Sequence, residues 1–189
     1  MAYVLGFWFA NGCIYRSRMF DITVPVTDKS ILEKIAEELK YPCELYDEVD
    51  RQFARINFSC EAIYRDIVAL GGKECKSTEI KFPQVPEEYL PDFIRGYFDG
   101  NGSVMISKNN KLGCAFTSGS KQFLNELLKI LHSKAYAFGG TYDAATCSLI
   151  FTGEDSKNIG IYMYKNNPQL FLLRKQKKFE IFIKEEIQP

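Results

Sequence analysis

The chain has 189 residues, with 24 Lys or Arg, 24 Asp or Glu and a single His, so its formal net charge is zero. Apolar residues make up 46% and charged residues 25%, which excludes a disordered or collagen-like chain. Six scattered cysteines without a CxxC pair, together with one His, argue against a disulfide framework, a structural zinc site and a Ser–His triad.

The first half of the chain begins with a short apolar segment at residues 3–10 that predicts a helix. An extended pair is predicted at about 13–26, where apolar residues alternate with polar or proline positions. Helical spacing of apolar residues then predicts an amphipathic helix over about 28–40. A second extended pair is expected at about 43–58, and Ser59 stands where the cap of a further helix belongs.

The second half carries the same elements in the same order. A short helix is predicted at 91–100, an extended pair at about 103–117 and an amphipathic helix at 120–134. A further extended pair is predicted at about 136–151, and Thr152 stands at the corresponding cap position. Each half therefore reads as α-β-β-α-β-β-α.

Sequence identity between the halves supports a duplication. Residues 3–12 and 93–102 align at a constant offset of 90, which pairs Gly6 with Gly96, Asn11 with Asn101 and Gly12 with Gly102. We predict one domain at 1–80, a proline-containing linker at 81–88 and a second domain at 89–189. The second domain is expected to end in an additional basic helix over Leu170–Ile187.

Small residues lie at i and i+4 in both short helices, as Gly6 and Ala10 in one and Gly96 and Gly100 in the other. This spacing lets two helix backbones approach closely, because no side chain holds them apart. The Asn-Gly pair that follows each helix also fits a plain helix end, since both residues tolerate left-handed backbone geometry.

The chain resembles the LAGLIDADG homing endonucleases in their single-chain, two-repeat form. The motif maps onto Val4–Gly12 and Ile94–Gly102, and Phe93–Val104 matches its flanks. Three further segments are similar to later signatures of the family: Lys76-Ser77, Lys81-Phe82-Pro83 and Leu173-Arg174-Lys175. The resemblance implies an α+β fold in which two pseudo-symmetric repeats, each with an antiparallel β-sheet saddle, pack through the two motif helices.

The resemblance also implies a function. A monomer would recognise a specific double-stranded DNA site and cut both strands by metal-dependent hydrolysis of phosphodiester bonds, in the service of intron or intein mobility. The positions of the family's metal-binding acids are Asn11 and Asn101, and the backbone carbonyls of Ala10 and Gly100 would join them. Mg²⁺ is the expected cofactor, with Ca²⁺ able to substitute without cleavage, and Lys76 and Lys175 are candidates to assist catalysis.

Asn at both metal positions departs from the family pattern. An amide keeps a carbonyl oxygen but carries no charge, so most of the attraction for a hard dication is lost. We therefore expect DNA binding without efficient cleavage, either in an engineered inactive nuclease or in a natural binding-only descendant. Asp99 survives two positions earlier, where hydrogen bonding at the helix interface is the expected role.

Other functions on the same architecture are an RNA-binding splicing cofactor, or maturase, and a DNA-binding regulator. A duplicated module without any nucleic-acid role is the remaining possibility. Residues 1–88 hold 11 basic and 15 acidic side chains, whereas residues 89–189 hold 13 basic and 9 acidic ones. The second half is therefore expected to contribute more of the salt-sensitive affinity for DNA.

Residues that face the groove are expected at alternate positions of the extended segments. The candidates in the first half are Tyr15, Arg16, Ser17, Arg18, Arg51, Arg55 and Asn57. Those in the second half are Ser107, Lys108, Asn109, Lys111, Thr117, Tyr142, Thr146 and Ser148. The absence of a membrane-length apolar run and of a signal peptide predicts a cytoplasmic protein without a membrane partner.

Overall fold

The computed structural model describes residues 1–15, 19–72 and 80–183. They divide into two compact units. One contains the described residues up to Gly72 together with Pro83–Gly100, and the other contains residues 80–82 and those from Asn101 onward. This grouping follows spatial contacts and not sequence duplication, so the boundaries of the two repeats stay a prediction.

The first repeat forms one antiparallel sheet with helices on one side. Its elements in chain order are α1 (Ala2–Asn11), β1 (Gly12–Tyr15), β2 (Met19–Pro25), α2 (Lys29–Leu39), β3 (Glu44–Glu48), β4 (Phe53–Ser59) and α3 (Glu61–Ala69). The strand order is β1-β2-β4-β3, and every neighbouring pair is antiparallel.

The second repeat follows the same plan. Its elements are α4 (Leu90–Asn101), β5 (Gly102–Ile106), β6 (Leu112–Thr117), α5 (Lys121–Lys134), β7 (Thr141–Asp143), β8 (Ser148–Thr152), α6 (Glu154–Tyr164) and α7 (Leu173–Ile183). The strand order β5-β6-β8-β7 repeats that of the first sheet. The predicted α+β fold of two pseudo-repeats is confirmed.

Period-two alternation decides which face of each sheet is buried. In the first sheet, Phe20 and Phe58 stack at 5.0 Å between ring centroids, and Trp8 of α1 packs edge-on against Phe20. In the second, Phe116 and Phe151 lie on the face that packs against α5, and all of these rings are nearly inaccessible. The alternate residues of each strand form the opposite, outer face of the sheet.

Two of the predicted helix caps are shifted by one residue. Helix α3 begins after Cys60 and α6 after Gly153, so Ser59 and Thr152 remain the last residues of their strands. Gly153 has φ of 61°, a left-handed conformation that glycine adopts without steric cost, and this allows the sharp turn from strand to helix. The final helix is also shorter than predicted at its start, because it begins at Leu173.

Candidate site at the helix ends and the outer sheet faces

The small residues of α1 and α4 permit direct backbone contact between the two helices. A methyl group on Gly6 would overlap the carbonyl oxygen of Phe93, and one on Gly96 would overlap the carbonyl oxygen of Tyr3. A methyl group on Gly100 would likewise overlap the Cβ of Ala10. The close approach expected from the spacing of small residues is therefore present, and it extends to the C-terminal end of α1.

A buried polar cluster links α1 to α4. The hydroxyl of Tyr3 donates a hydrogen bond of 2.9 Å to Oδ2 of Asp99. The guanidinium of Arg95 lies 5.3 Å from the centre of the Tyr3 ring and donates to Oδ1 of Asp92. Tyr3, Arg95 and Asp99 are each about 2% exposed. Asp99 thus makes the interface hydrogen bond expected of it.

Asn11 is the last residue of α1 and Asn101 the last residue of α4, and both side chains are half-buried. The Cγ of Asn11 lies 3.4 Å from the position that a Cβ on Gly100 would occupy. The sequence-predicted positions Ala10, Asn11, Gly100 and Asn101 all stand at these helix ends.

The available donors at the helix ends do not fit a hard dication. They are side-chain amides and backbone carbonyls, whereas Mg²⁺ is held in proteins by carboxylates. The nearest carboxylate in the sequence, that of Asp99, accepts from Tyr3. Across residues 1–15, 19–72 and 80–183, no three or more His, Cys, Asp or Glu side chains form a group able to hold an ion.

Lys175 lies within the second unit next to the end of α4. It is 4% exposed, and its Nζ donates a 2.7 Å hydrogen bond to the carbonyl of Gly102, the residue after Asn101. Lys178, one turn further along α7, donates at 3.2 Å to the carbonyl of Val104. The two lysines hold α7 against β5. The other lysine candidate, Lys76, lies outside the described residues.

The outer face of the first sheet is polar and internally hydrogen-bonded. We call it the N-terminal outer face; its members are Cys13, Tyr15, Met19, Asp21, Thr23, Glu44, Tyr46, Phe53, Arg55, Asn57 and Ser59. The Nδ2 of Asn57 donates to the Tyr15 hydroxyl at 2.6 Å, and Arg55 Nε lies 3.4 Å from Asp21 Oδ2.

Three of the sequence candidates therefore meet on the N-terminal outer face: Tyr15, Arg55 and Asn57. Arg51 lies in the turn between β3 and β4 and is exposed. Arg16, Ser17 and Arg18 fall outside the described residues. The sequence-based prediction missed four residues of this face, Asp21, Thr23, Glu44 and Tyr46. The same alternation that selected Arg55 and Asn57 in β4 would have selected these four residues in β2 and β3.

The outer face of the second sheet is mostly small, apolar or hydroxyl-bearing. We call it the C-terminal outer face; its members are Ser103, Met105, Gly113, Ala115, Thr117, Thr141, Asp143, Ser148, Ile150 and Thr152. The hydroxyls of Thr117 and Ser148 are 2.8 Å apart. Asp143 is the ionisable member, and donation from the Thr146 hydroxyl and the Ala145 N–H keeps its carboxyl pKa below the ordinary value.

Of the candidates in the second half, Thr117 and Ser148 lie on the C-terminal outer face, and Thr146 lies in the β7–β8 turn. Tyr142 is placed differently. It pairs with Leu149 on the opposite, helix-side face, and the Lys121 ammonium lies 5.0 Å from the centre of its ring. Strand β7 extends only from Thr141 to Asp143, so its register decides this orientation, and the sequence alone does not reveal it.

The remaining candidates form the loop that joins β5 to β6. Ser107, Lys108, Asn109 and Lys111 are all exposed. The loop is closed by the amide of Ser107 donating to the Lys111 carbonyl at 2.9 Å and by the amide of Lys111 donating to the Ser107 hydroxyl at 3.0 Å. Two ammonium groups are therefore presented from an ordered turn at one end of the C-terminal outer face.

Comparisons with known proteins agree with this architecture. Residues 88–134 match the sequence model of a LAGLIDADG-like domain. The fold is similar to that of the I-LtrWI LAGLIDADG homing endonuclease bound to target DNA, with a TM-score of 0.65 and 13% identity over 98% of this chain and 89% of that chain. The protein thus contains a LAGLIDADG-like fold, of the kind found in homing endonucleases that have been crystallised on DNA.

A similar fold also occurs in a protein whose name does not describe an endonuclease. Full-length DUF199/WhiA from Thermatoga maritima matches with a TM-score of 0.58 and 17% identity, over 100% of this chain and 60% of that chain. In sequence, the chain is 29% identical over 143 residues to a probable translation initiation factor IF-2 of Methanocaldococcus jannaschii. That alignment covers 68% of this chain and spans 11% of the initiation factor.

Crossing a bilayer requires a helix that is both long and apolar. None of the helices within residues 1–15, 19–72 and 80–183 meets both conditions.

Proposed function

We propose that this protein is a monomeric, sequence-specific binder of double-stranded DNA with homing-endonuclease architecture that cleaves DNA very slowly or not at all. The observation that carries the proposal is the combination of two outer sheet faces on a LAGLIDADG-like fold with amide side chains at both motif-helix ends. The sheets supply a surface for DNA, whereas the helix ends lack the charge that cleavage needs.

The outer faces support binding in the major groove. An antiparallel sheet presents side chains at a spacing that suits base edges, and hydroxyl, amide and guanidinium groups donate to and accept from bases. Tyr15 and Arg55 on one face, and Thr117 on the other, are the proposed base-contacting residues. Asn57 and Ser148 are buried and hydrogen-bonded to Tyr15 and Thr117, so they would orient those two side chains. Arg51 and the turn residues Lys108 and Lys111 are exposed, and they would contact phosphates.

The helix ends support the loss of cleavage. In-line hydrolysis of a phosphodiester requires stabilisation of the attacking and leaving oxygens, and a divalent metal supplies it when carboxylates hold that metal. Asn11 and Asn101 offer only neutral oxygens at the proposed metal positions, alongside the carbonyls of Ala10 and Gly100. Lys175 would remain close to the end of α4, but its ammonium does not replace a metal ligand.

A regulator or an RNA-binding splicing factor on the same fold is the second candidate. The similarity to DUF199/WhiA favours it, because that protein carries a LAGLIDADG domain under a name that does not describe an endonuclease. The similarity to the initiation factor spans too little of that protein for its activity to be transferred to this chain.

Selection from a randomised duplex library, performed separately in Ca²⁺ and in Mg²⁺, tests the proposal. We expect one enriched site in both ions, bound in competition with random duplex, and no nicking in Mg²⁺. Failure to enrich a duplex together with tight binding of structured RNA would favour the splicing candidate. Normal turnover in Mg²⁺ would contradict the assignment of Asn11 and Asn101 as defective metal positions.

A further inference from the structure

The C-terminal outer face contains an apolar patch around strand β6, made of Met105, Gly113, Ala115 and Ile150. Gly113 and Ala115 carry the smallest side chains on that face, and both are buried, with Ala115 only 5% exposed. Met105 of β5 pairs with Gly113 and Ile150 of β8 pairs with Ala115, so the two larger side chains lie diagonally on opposite sides of β6. Met105 is 45% exposed, and its methyl group lies 3.8 Å from the position that a Cβ on Gly113 would occupy.

Most polar groups around this apolar patch are hydroxyls. Ser103, Thr117, Thr141, Ser148 and Thr152 contribute hydroxyls, which donate and accept without preference for one base. The only carboxylate among the members of the face, that of Asp143, already accepts from Thr146 and Ala145. No Lys or Arg belongs to the C-terminal outer face as defined by its paired strands.

Positive charge lies at the edge of the face instead of at its centre. Lys108 and Lys111 are exposed in the β5–β6 turn, which continues directly from the strands that hold Met105 and Gly113. In a protein–DNA interface, cations at the edge meet phosphates, and the groups between them meet base edges. A face with an apolar centre and lysines at its edge is complementary to a major groove in which phosphates lie at the edge and the bases present apolar groups.

Resting on the proposed function, we infer that the C-terminal outer face recognises thymine methyl groups in its half of the DNA site. Thymine alone among the four bases presents an apolar group, the C5 methyl, to the major groove. Met105 and Ile150, the larger and more accessible members of the apolar patch, would contact this methyl group.

The N-terminal outer face provides the internal contrast. Asp21, Glu44 and Arg55 bring charge to its centre, and Asn57 and Tyr15 form a hydrogen-bonded pair there. Such groups discriminate guanine, adenine and cytosine through hydrogen bonds that do not involve a C5 methyl. The two half-sites should therefore respond differently to removal of thymine methyl groups.

Replacing thymine by deoxyuridine, one position at a time, tests the inference on the duplex selected with the full chain. This change removes the C5 methyl and leaves base pairing and every hydrogen-bonding group in place. We expect a loss of about fourfold in affinity for each contacted thymine in one half-site, equivalent to burial of one methyl group. In the other half-site, an effect is expected only at thymines beside Met19 or Phe53, the large apolar members of the N-terminal outer face.

Two variants connect the effect to the apolar patch. Met105→Gln keeps the length of the side chain but replaces its apolar end, and Ile150→Ser removes every methyl group of the side chain. Either should abolish discrimination between thymine and uracil at its own positions. Ile181→Gln is the matched control, because Ile181 is 55% exposed on α7 and lies off both faces. Urea midpoints establish that each variant is folded.

Three outcomes are distinguishable. Position-specific loss with uracil that disappears in M105Q or I150S supports the inference. Specific binding that is indifferent to uracil throughout, or discrimination that persists in both variants, overturns the inference and leaves the proposed function standing. Absence of any enriched duplex overturns both.

Discussion

The hydroxyl of Tyr3 donates a 2.9 Å hydrogen bond to Oδ2 of Asp99, and the residues at the equivalent positions of the repeat are Phe93 and Phe9. Those two rings also meet, at 5.7 Å between centroids and nearly edge to face. The interface between α1 and α4 therefore contains a buried polar pair on one side and two aromatic rings on the other.

Tyr3→Phe should destabilise the protein by about 1–3 kcal/mol, because it removes a donor from a buried carboxylate and leaves that carboxylate poorly solvated. The free energy of unfolding from urea titration measures the effect. Tyr89→Phe is the control, since Tyr89 is 48% exposed and its hydroxyl is available to water. Equal midpoints for Tyr3→Phe and wild type would show that the bond contributes nothing net.

Gly6→Ala should be more damaging, with a loss of about 2 kcal/mol or more, because the added methyl group overlaps the backbone oxygen of Phe93, which cannot move independently of α4. Gly113→Ala is the matched control for stability, since its nearest neighbour beyond the adjacent residues would be 3.5 Å away. Thermal unfolding compares the two. A Gly6→Ala protein as stable as Gly113→Ala would contradict the close helix approach.

Asn11→Asp combined with Asn101→Asp should create affinity for divalent cations and restore nicking in Mg²⁺, because two carboxylates replace two neutral amides at the helix ends. Calorimetry with Ca²⁺ measures binding without the complication of cleavage. Gln122→Glu combined with Asn125→Asp adds the same charge on the exposed side of α5 and should have neither effect. Cation binding without nicking would indicate a natural protein whose remaining machinery has decayed.

Lys175→Met should lower the free energy of unfolding by about 1–3 kcal/mol, since the Gly102 carbonyl loses a charged donor in a buried setting. Lys178→Met should cost less, because Lys178 is exposed and its bond to Val104 is longer. Chemical denaturation of both variants provides the comparison. If Lys175 also acts in catalysis, its loss should abolish nicking in the double variant Asn11→Asp, Asn101→Asp at temperatures where the protein stays folded.

Maleimide labelling should distinguish Cys13 from Cys114, because Cys13 is exposed whereas Cys114 is buried. Cys13 is exposed on the N-terminal outer face, so a bulky adduct there should reduce DNA affinity at least tenfold by obstructing the surface. Burial raises the pKa of Cys114 to about 12, so its thiol stays protonated at pH 8 and should remain unlabelled.

Mass spectrometry identifies the labelled thiols, and Cys13→Ser is the control. Labelled Cys13→Ser protein should bind DNA as well as the unlabelled protein does. Equal inhibition with and without Cys13 would place the sensitive thiol elsewhere.

The order of elements was predictable because each half of the sequence alternates between periods of 3.6 and 2, and because the halves repeat. Cap positions were less predictable: Ser59 and Thr152 have the side chains of good caps, yet the strands extend through both residues, and Cys60 and Gly153 stand at the helix starts. Sheet hydrogen bonding to the neighbouring strand outweighed local capping preference at both places.

Four features could be predicted from the sequence: the duplication, the α+β class, the small residues that let α1 and α4 touch, and the neutral amides at the ends of these helices. All of these depend on residue type and spacing along the chain. Three other features became apparent only from the folded chain: Lys175 is buried against the Gly102 carbonyl, Tyr142 faces the helices, and Met105 and Ile150 flank Gly113 and Ala115. These relationships depend on strand register and on contacts between residues far apart in sequence, and a shift of one residue in register would reverse each face.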